Sequence, residues 1–419
     1  MVRRHPGDRW AEHVHRPEVK RPAGKEDAVD FELSESQDAY VAMARQFAAK
    51  ALAPKAAEWD AQSHFPKDVL REAGELGLMA LYTPESAGGL GLSRLDSALI
   101  FEALAEGCTS TAAFMTIHNM ALWMIATFGN EETKASFCPD LAEAKTLASY
   151  CLTEPGAGSD AASLRTTATR VPGGYRLNGQ KMFISGAGDT DVLVVMARVA
   201  DDAGPRPGAK GVSSFVVPAN TPGISFGRKE EKMGWNSQPT RAITFEDAFV
   251  PEVQRLGDEG EGFKIAMKGL DGGRINIATT AVGTAQAALE QALAYVGQRQ
   301  QFGQPIGAFQ HTQFELADMA TELLAARQMV RLAAARLDAG HPEATLYCAM
   351  AKRYATDRAF EVCNKALQLH GGYGYIREYP LERHLRDVRV HQILEGTNEI
   401  MRVIIARRMQ MEGAAALLH

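Results

Sequence analysis

Four short segments carry residue types that binding or catalysis requires. Tyr150-Cys-Leu-Thr-Glu-Pro-Gly-Ala-Gly-Ser-Asp160 holds Gly156 and Gly158, where a backbone can approach a ligand closely. Thr153, Ser159 and free N–H groups there can donate to anionic oxygens. The same run also reads as a Gly-rich link between domains. It is neither GxGxxG after a strand nor a P-loop, so it indicates neither a Rossmann nor a Walker site. In Lys181-Met-Phe-Ile-Ser185, strand alternation puts Phe183 and Ser185 on one face. An aromatic ring beside a hydroxyl can contact a flat cofactor; more often such a pair is plain core with a cross-strand hydrogen bond. Gln368-Leu-His-Gly-Gly-Tyr-Gly-Tyr375 ends a helical run, and Gly371 and Gly372 suit a helix C-cap. That reading explains the following Glu378, Arg383 and Asp387 less well. In Ile393-Leu-Glu-Gly-Thr-Asn-Glu-Ile400, Glu395 stands in an apolar setting, Gly396 permits a turn and Thr397 suits an N-cap. A carboxylate at such an elbow is a desolvated base or a favourable charge at a helix N-terminus. Periodicity does not separate the two.

The elements that must position these residues fall into three zones. Residues 1–34 read as a flexible tail. The first 28 residues have seven Lys/Arg against five Asp/Glu and no apolar signal core, and Asp8, Glu12 and Glu18 argue against a transit peptide. Residues 35–150 have helical spacing of apolar positions, interrupted by the Gly/Pro-rich loop Tyr82–Gly91. Residues 151–255 change to a period of two, predicting an antiparallel β-domain. Asn178-Gly179 between alternating apolar residues predicts a hairpin turn. Residues 256–419 predict an α-bundle, with helices over 263–270, 276–297, 312–339, 343–369 and 398–411.

Composition excludes several classes. The chain has 419 residues, 46% hydrophobic and 23% charged, typical of a globular protein and not of a disordered or fibrous one. A net charge of −6 excludes an electrostatic nucleic-acid binder. No uninterrupted apolar run approaches the ~18 residues of a membrane span, so stable membrane insertion is not expected. Five scattered cysteines form no CxxC pair and no zinc-spaced cluster, so no metal site is expected and the thiols read as reduced.

In order and spacing, the four segments resemble the acyl-CoA dehydrogenase family across residues 35–412. Cys151–Ser163 resembles its first signature. Gln368–Asp387 resembles its second, with Glu378, Arg383 and Asp387 at the expected steps. Within the family, the resemblance is to the isobutyryl-CoA subgroup of valine breakdown. It is carried by Met115–Met120, Gly234–Arg241, Gly269–Ile277 and Leu394–Glu399.

The resemblance implies an α, β, α three-domain fold, FAD, α,β-desaturation of an acyl-CoA and electron-transfer flavoprotein as acceptor. It also implies a homotetramer built as a dimer of dimers. The compartment would be cytoplasmic in a bacterium or the mitochondrial matrix in a eukaryote. Tyr150, Leu152, Thr153, Gly158 and Ser159 would line FAD, as would Phe183, where many members have Trp, and Ser185, where many have Thr. Arg299, Phe302, Gln368, Gly371 and Gly372 would reach a neighbour's FAD, and Thr397 and Glu399 would close the site. Ser159, Leu270, Asp271, Gly272, Gly273, Arg274 and Gly396 would hold the substrate. Isovaleryl-CoA dehydrogenase carries its base just before the arginine of the segment matching Leu270–Arg274. Gly273 stands there and cannot serve, so the resemblance assigns the base to Glu395.

The expected reaction is isobutyryl-CoA to methacrylyl-CoA. The alternatives are a 2-methylbutyryl- or butyryl-CoA dehydrogenase, an acyl-CoA oxidase or a non-catalytic relative. Phe114, Met115 and His118 are expected either to close the far end of the acyl pocket or to be ordinary helix core.

Overall fold

The computed structural model describes residues 32–201 and 204–412. Apart from Glu32–Ser34, the expected tail lies outside the described residues. The first helices are α1 (Glu35–Phe47), α2 (Ala56–Gln62), α3 (Lys67–Glu75), α4 (Arg94–Gly107), α5 (Thr109–Phe128) and α6 (Glu131–Ala142). Their starts follow local chemistry. Ser34 and Gln37 form a capping box on α1, Ser93 accepts the Asp96 N–H at α4, and Asn130 accepts the Thr133 N–H at α6. By length and composition alone α5 is apolar enough to cross a membrane. Thr, Ser, His and Asn interrupt its apolar run, and 83% of the relevant stretch is buried inside the protein. It is a central core helix.

Among the described residues nine strands follow: β1 (Ala148–Cys151), β2 (Thr167–Val171), β3 (Gly174–Ser185), β4 (Val192–Asp201), β5 (Gly204–Pro205), β6 (Val212–Pro218), β7 (Ile224–Phe226), β8 (Thr240–Pro251) and β9 (Arg255–Leu256). The main order is β7-β8-β3-β2-β4-β6-β9, with β1 and β5 also on β4. Most pairs are antiparallel as expected, but β1 and β2 each pair parallel with β4, so the sheet is mixed. Along β4, alternate residues enter two cores. Val192, Val194 and Met196 pack with α5 residues, and Leu193, Val195 and Val199 pack inside the strand layer.

The expected hairpin turn at Asn178-Gly179 is not there. β3 runs straight through it, and the turn from β2 is at Pro172-Gly173, where Gly173 has φ +80°. Asn178-Gly179 marks instead a bulge against β8. Asn178 exchanges hydrogen bonds with Asp247, and a β-carbon on Gly179 would come within 2.7 Å of Thr166. Glycine serves here for close backbone approach, a use that the dipeptide alone does not distinguish from a turn.

The remaining long helices are α7 (Gly262–Gln298), α8 (Gln310–Asp338), α9 (Ala344–His370), α10 (Leu381–Arg389) and α11 (Asn398–Glu412), with a small ribbon of β10 (Gln300–Gln301) and β11 (Gln304–Pro305) between α7 and α8. α7, α8 and α9 pack around an Ala-rich core. The sequence suggested two helices separated near Gly272-Gly273; α7 is continuous through both glycines. Tertiary neighbours explain them. A β-carbon at Gly272 would meet the Arg94 guanidinium, and one at Gly273 the Glu395 carboxylate.

Gly283 plays the same part where α7 crosses α4, since a β-carbon there would overlap the Glu102 carbonyl. Gly283→Ala is expected to cost about 1–3 kcal/mol by overpacking, despite its better helix propensity. Thermal unfolding of the purified variant checks this; an unchanged or raised midpoint would show that the crossing relaxes freely.

Candidate active site

The 393–400 elbow is built from both sides. Glu395 has φ +56° and Gly396 φ +89°, so the chain turns sharply before α11. Thr397 accepts the Ile400 N–H at 3.2 Å, the expected cap. The buried Lys352 on α9 donates to the Gly396 carbonyl at 2.8 Å and to Asn398 Oδ1 at 2.9 Å. Asn398 also reaches Thr356 and Asp357, tying the elbow to α9.

This anchoring holds Glu395 half-buried at the elbow. Its Oε2 is buried without a hydrogen-bond partner. Burial pushes the carboxyl up to about 7, although Arg274 and Lys352 pull it down. Burial likewise lowers Lys352 to about 7, with Glu395 opposing. A raised carboxylate facing an apolar space is the state a proton acceptor needs near neutrality.

Glu395 lines a cavity of about 320 Å³ where the strand layer meets α5, α7 and α11. Tyr150, Leu152, Thr153, Gly158, Ser159, Phe183 and Ser185 form one side; Leu270, Arg274, Leu394 and Gly396 form another. Gly156 and Gly158 have open space where a β-carbon would stand.

Phe183 reaches the cavity through a bulge rather than by simple alternation. The β3–β8 register shifts between Lys181 and Ile184, both of which point inward, while Phe183 has φ +58° and is 63% exposed. Beneath it the fully buried Lys181 joins Glu154 at 2.7 Å and the Leu152 carbonyl at 3.0 Å, and the Met182 N–H reaches the Thr153 carbonyl at 2.8 Å. These bonds lock the 152–154 loop to the strand that carries Phe183.

Not every expected residue faces this cavity. In the Leu270–Arg274 run, only Leu270 and Arg274 line it. Asp271 is held by Arg274 at 2.6 Å and Thr345 at 2.7 Å. Gly272 lies under Arg94, and Gly273 lies under Glu395. Thr397 caps α11, and Glu399 is exposed near Arg402.

Phe114, Met115 and His118 are core. Phe114 meets Phe65 edge-on at 4.8 Å, and Met115 sits in the same cluster. His118 uses both ring nitrogens, toward the Leu141 carbonyl and the Ala148 N–H, and burial lowers it to about 4. The α5 residues that line the cavity are Ile117 and Met120. Their apolar helical spacing is the same for pocket and core, so the sequence offered no signal for them. Ile277 was missed for the same reason; Trp235 sits in a loop, where no periodicity marks its direction, and the partners of Lys352 lie 44 and 46 residues away in sequence.

A second cavity of about 560 Å³ gathers Arg299 with Gln368–Gly372, Tyr295 and Tyr373. Gly371 has φ +59° and closes α9, as its C-cap role requires. Phe302 is outside it, on the α7–α8 ribbon, with φ +50° and 94% exposure.

The first cavity fits a flat cofactor with an anionic tail. It offers an exposed aromatic ring on the bulge, an open glycine cradle, and the unpartnered buried Tyr150 Oη and Arg274 Nε. All five cysteines are buried and free.

Three domain models of the acyl-CoA dehydrogenase match the chain: N-terminal over 34–145, middle over 149–248 and C-terminal over 260–410. The mitochondrial isobutyryl-CoA dehydrogenase of Bos taurus is 53% identical over 380 residues, covering 91% of this chain and 90% of that protein. The solved butyryl-CoA dehydrogenase of Megasphaera elsdenii superposes with a TM-score of 0.87 at 40% identity, covering 91% of this chain and all of that one. A structure described as PigA with FAD and proline superposes with a TM-score of 0.88 at 33% identity, covering 92% and 100%. With all three domains matched in order around a cavity suited to a flavin, this chain belongs to the acyl-CoA dehydrogenase family, FAD-dependent oxidoreductases that act on acyl-CoA.

Proposed function

We propose that this protein desaturates isobutyryl-CoA to methacrylyl-CoA in valine breakdown and passes the electrons to electron-transfer flavoprotein. The observation that carries the chemistry is the Glu395 carboxylate, half-buried at the cavity wall, with Oε2 out of solvent and unpartnered over the bare face of Gly273. The similarity to a curated isobutyryl-CoA dehydrogenase supports the substrate. The apolar wall that Ile117, Met120 and Leu394 give the same cavity supports an acyl group beside Glu395.

An α C–H beside a thioester is a weak acid. Its removal needs a base that water does not compete with and a donor at the thioester oxygen as enolate charge develops. Glu395 takes the α-proton, and its own backbone N–H is the protein's donor to that oxygen. FAD, when bound, supplies the acceptor for the β-hydride. Tyr150, Leu152, Thr153, Gly158, Ser159, Phe183 and Ser185 would hold its ring and near phosphates, with Arg299, Phe302 and Gln368–Gly372 serving a neighbouring subunit's FAD in a homotetramer. Ser159, Leu270 and Arg274 would grip the thioester arm.

Glu395→Gln is expected to keep FAD and acyl-CoA binding while flavin reduction slows by about a thousandfold, the scale of a lost base. In the parent enzyme, the base must be ionised, so flavin reduction should fall below pH 7 and level off above it. Stopped-flow flavin bleaching checks both, and a pH-independent rate would remove Glu395 from the step. The same shift has a stability consequence. The folded carboxyl is raised above 4.5, so the fold loses stability as pH rises from 4.5 through about 7. Glu395→Gln should therefore melt higher than the parent at pH 8, and the gain should vanish near pH 4.

Anaerobic bleaching with an acyl-CoA panel tests the substrate. Isobutyryl-CoA should lead in kcat/KM, with 2-methylbutyryl- and butyryl-CoA modestly weaker and octanoyl-CoA poor. A lead for octanoyl-CoA would overturn it. Reoxidation of the bleached enzyme by electron-transfer flavoprotein, and not by air, separates a dehydrogenase from an oxidase.

Assembly and cofactor should be linked. Arg299→Ala or Phe302→Ala should release FAD at protein concentrations where the parent retains it, together with loss of tetramer in sedimentation. A parent monomer with full FAD would contradict this.

A further inference from the structure

The cavity has an order along α7. Phe263, Met267, Leu270, Arg274 and Ile277 line it turn by turn, from half-buried at Phe263 to fully buried at Ile277. The open end is therefore at the start of α7 and the closed end at Ile277. Glu395 stands over Gly273. Ile277 is four residues further, ~6 Å along the helix axis at 1.5 Å per residue. Only a short stretch of acyl chain fits between the base and the closed end.

Trp235, from the loop before β8, sits at that end. It is buried, lines the cavity, and packs with Ala113 and Ile277, flanked by Ile117 and Leu394. The indole therefore comes from the strand domain and fills the gap between two helices of the other domains.

Its placement is held by several contacts. Trp235 has φ +54°, and its backbone N–H donates to the buried Asp387 carboxylate at 2.6 Å. Its ring meets the buried His391 edge-on at 5.2 Å. A β-carbon at Gly234 would press on the Arg386 carbonyl, so the loop lies directly on α10. A large side chain in a left-handed conformation is costly and persists only where its surroundings fix it.

We propose that Trp235 is the floor of the acyl cavity and the residue that limits chain length, with Asp387 as its positioning residue. This rests on the acyl-CoA reading above and deepens it. Straight chains longer than butyryl meet the indole, while a branch at the α-carbon lies short of it.

The test uses Trp235→Leu and Trp235→Phe as FAD-loaded enzymes. kcat/KM is measured for isobutyryl-, butyryl-, hexanoyl- and octanoyl-CoA. In Trp235→Leu the hexanoyl-to-isobutyryl ratio should rise at least about tenfold, on the scale of one or two methylenes of apolar pocket. Trp235→Phe, which keeps an aromatic anchor and so guards against misfolding, should move the ratio the same way by less. A general packing defect lowers all substrates together and leaves the ratio still. A ratio within about twofold of the parent in both variants overturns the proposal. A parent that bleaches with no acyl-CoA refutes the functional reading and this proposal with it. An active parent with an unmoved ratio refutes only the role of Trp235.

Discussion

A half-buried carboxylate with one oxygen shut away from water and unpartnered is the constraint around which this molecule is arranged. Such a group is costly to bury, and the fold supports it without neutralising it. Arg274 and Lys352 lie close enough to lower its pKa, yet burial dominates and leaves it raised. Lys352 does not spend its hydrogen bonds on Glu395; it gives them to Gly396 and Asn398, which hold the elbow in shape. The charge is kept near the base while the geometry is fixed by neutral partners. The missing side chain at Gly273 makes the room, and that vacancy lies inside a 37-residue helix that local propensity would interrupt there.

The cavity exists only because the helical and strand layers are held at fixed positions, and buried polar contacts do much of this. Arg386 on α10 bridges to Asp60 on α2 at 2.7 Å and to Glu382 at 2.6 Å, and it also reaches the Met233 carbonyl. Asn236 reaches Asp60 as well. The strand-domain loop is thus clamped between the first and last helical layers. On the opposite side, Lys181 and Glu154 join the Gly-rich loop to the bulged strand. Buried ion pairs are poor sources of net stability; here they define which loop lies against which strand.

Backbone conformation separates the site from the scaffold. Phe183, Trp235, Phe302 and Glu395 are four of only seven non-glycine residues with positive φ among the described residues. Three of them line the principal cavity, and the fourth is the most exposed large apolar residue described. Strain of this kind concentrates where side chains are aimed against local preference.

The chain's own pattern determined the three zones, the helix cap at Thr397, the glycine end of α9 and the four segments that carry chemistry. These depend on residues near in sequence, through caps, turns and periodicity, so a single sequence displays them. The Gly273–Glu395 vacancy, the walls from Ile117 and Met120, the bulge that turns Phe183 outward and the placement of Trp235 were decided only by tertiary structure. Asn178-Gly179 and Gly272-Gly273 show why. A glycine that permits a turn and a glycine that makes room for a distant atom are the same residue to its neighbours in sequence. They differ only in what packs against them, Thr166 in one case and Arg94 and Glu395 in the other.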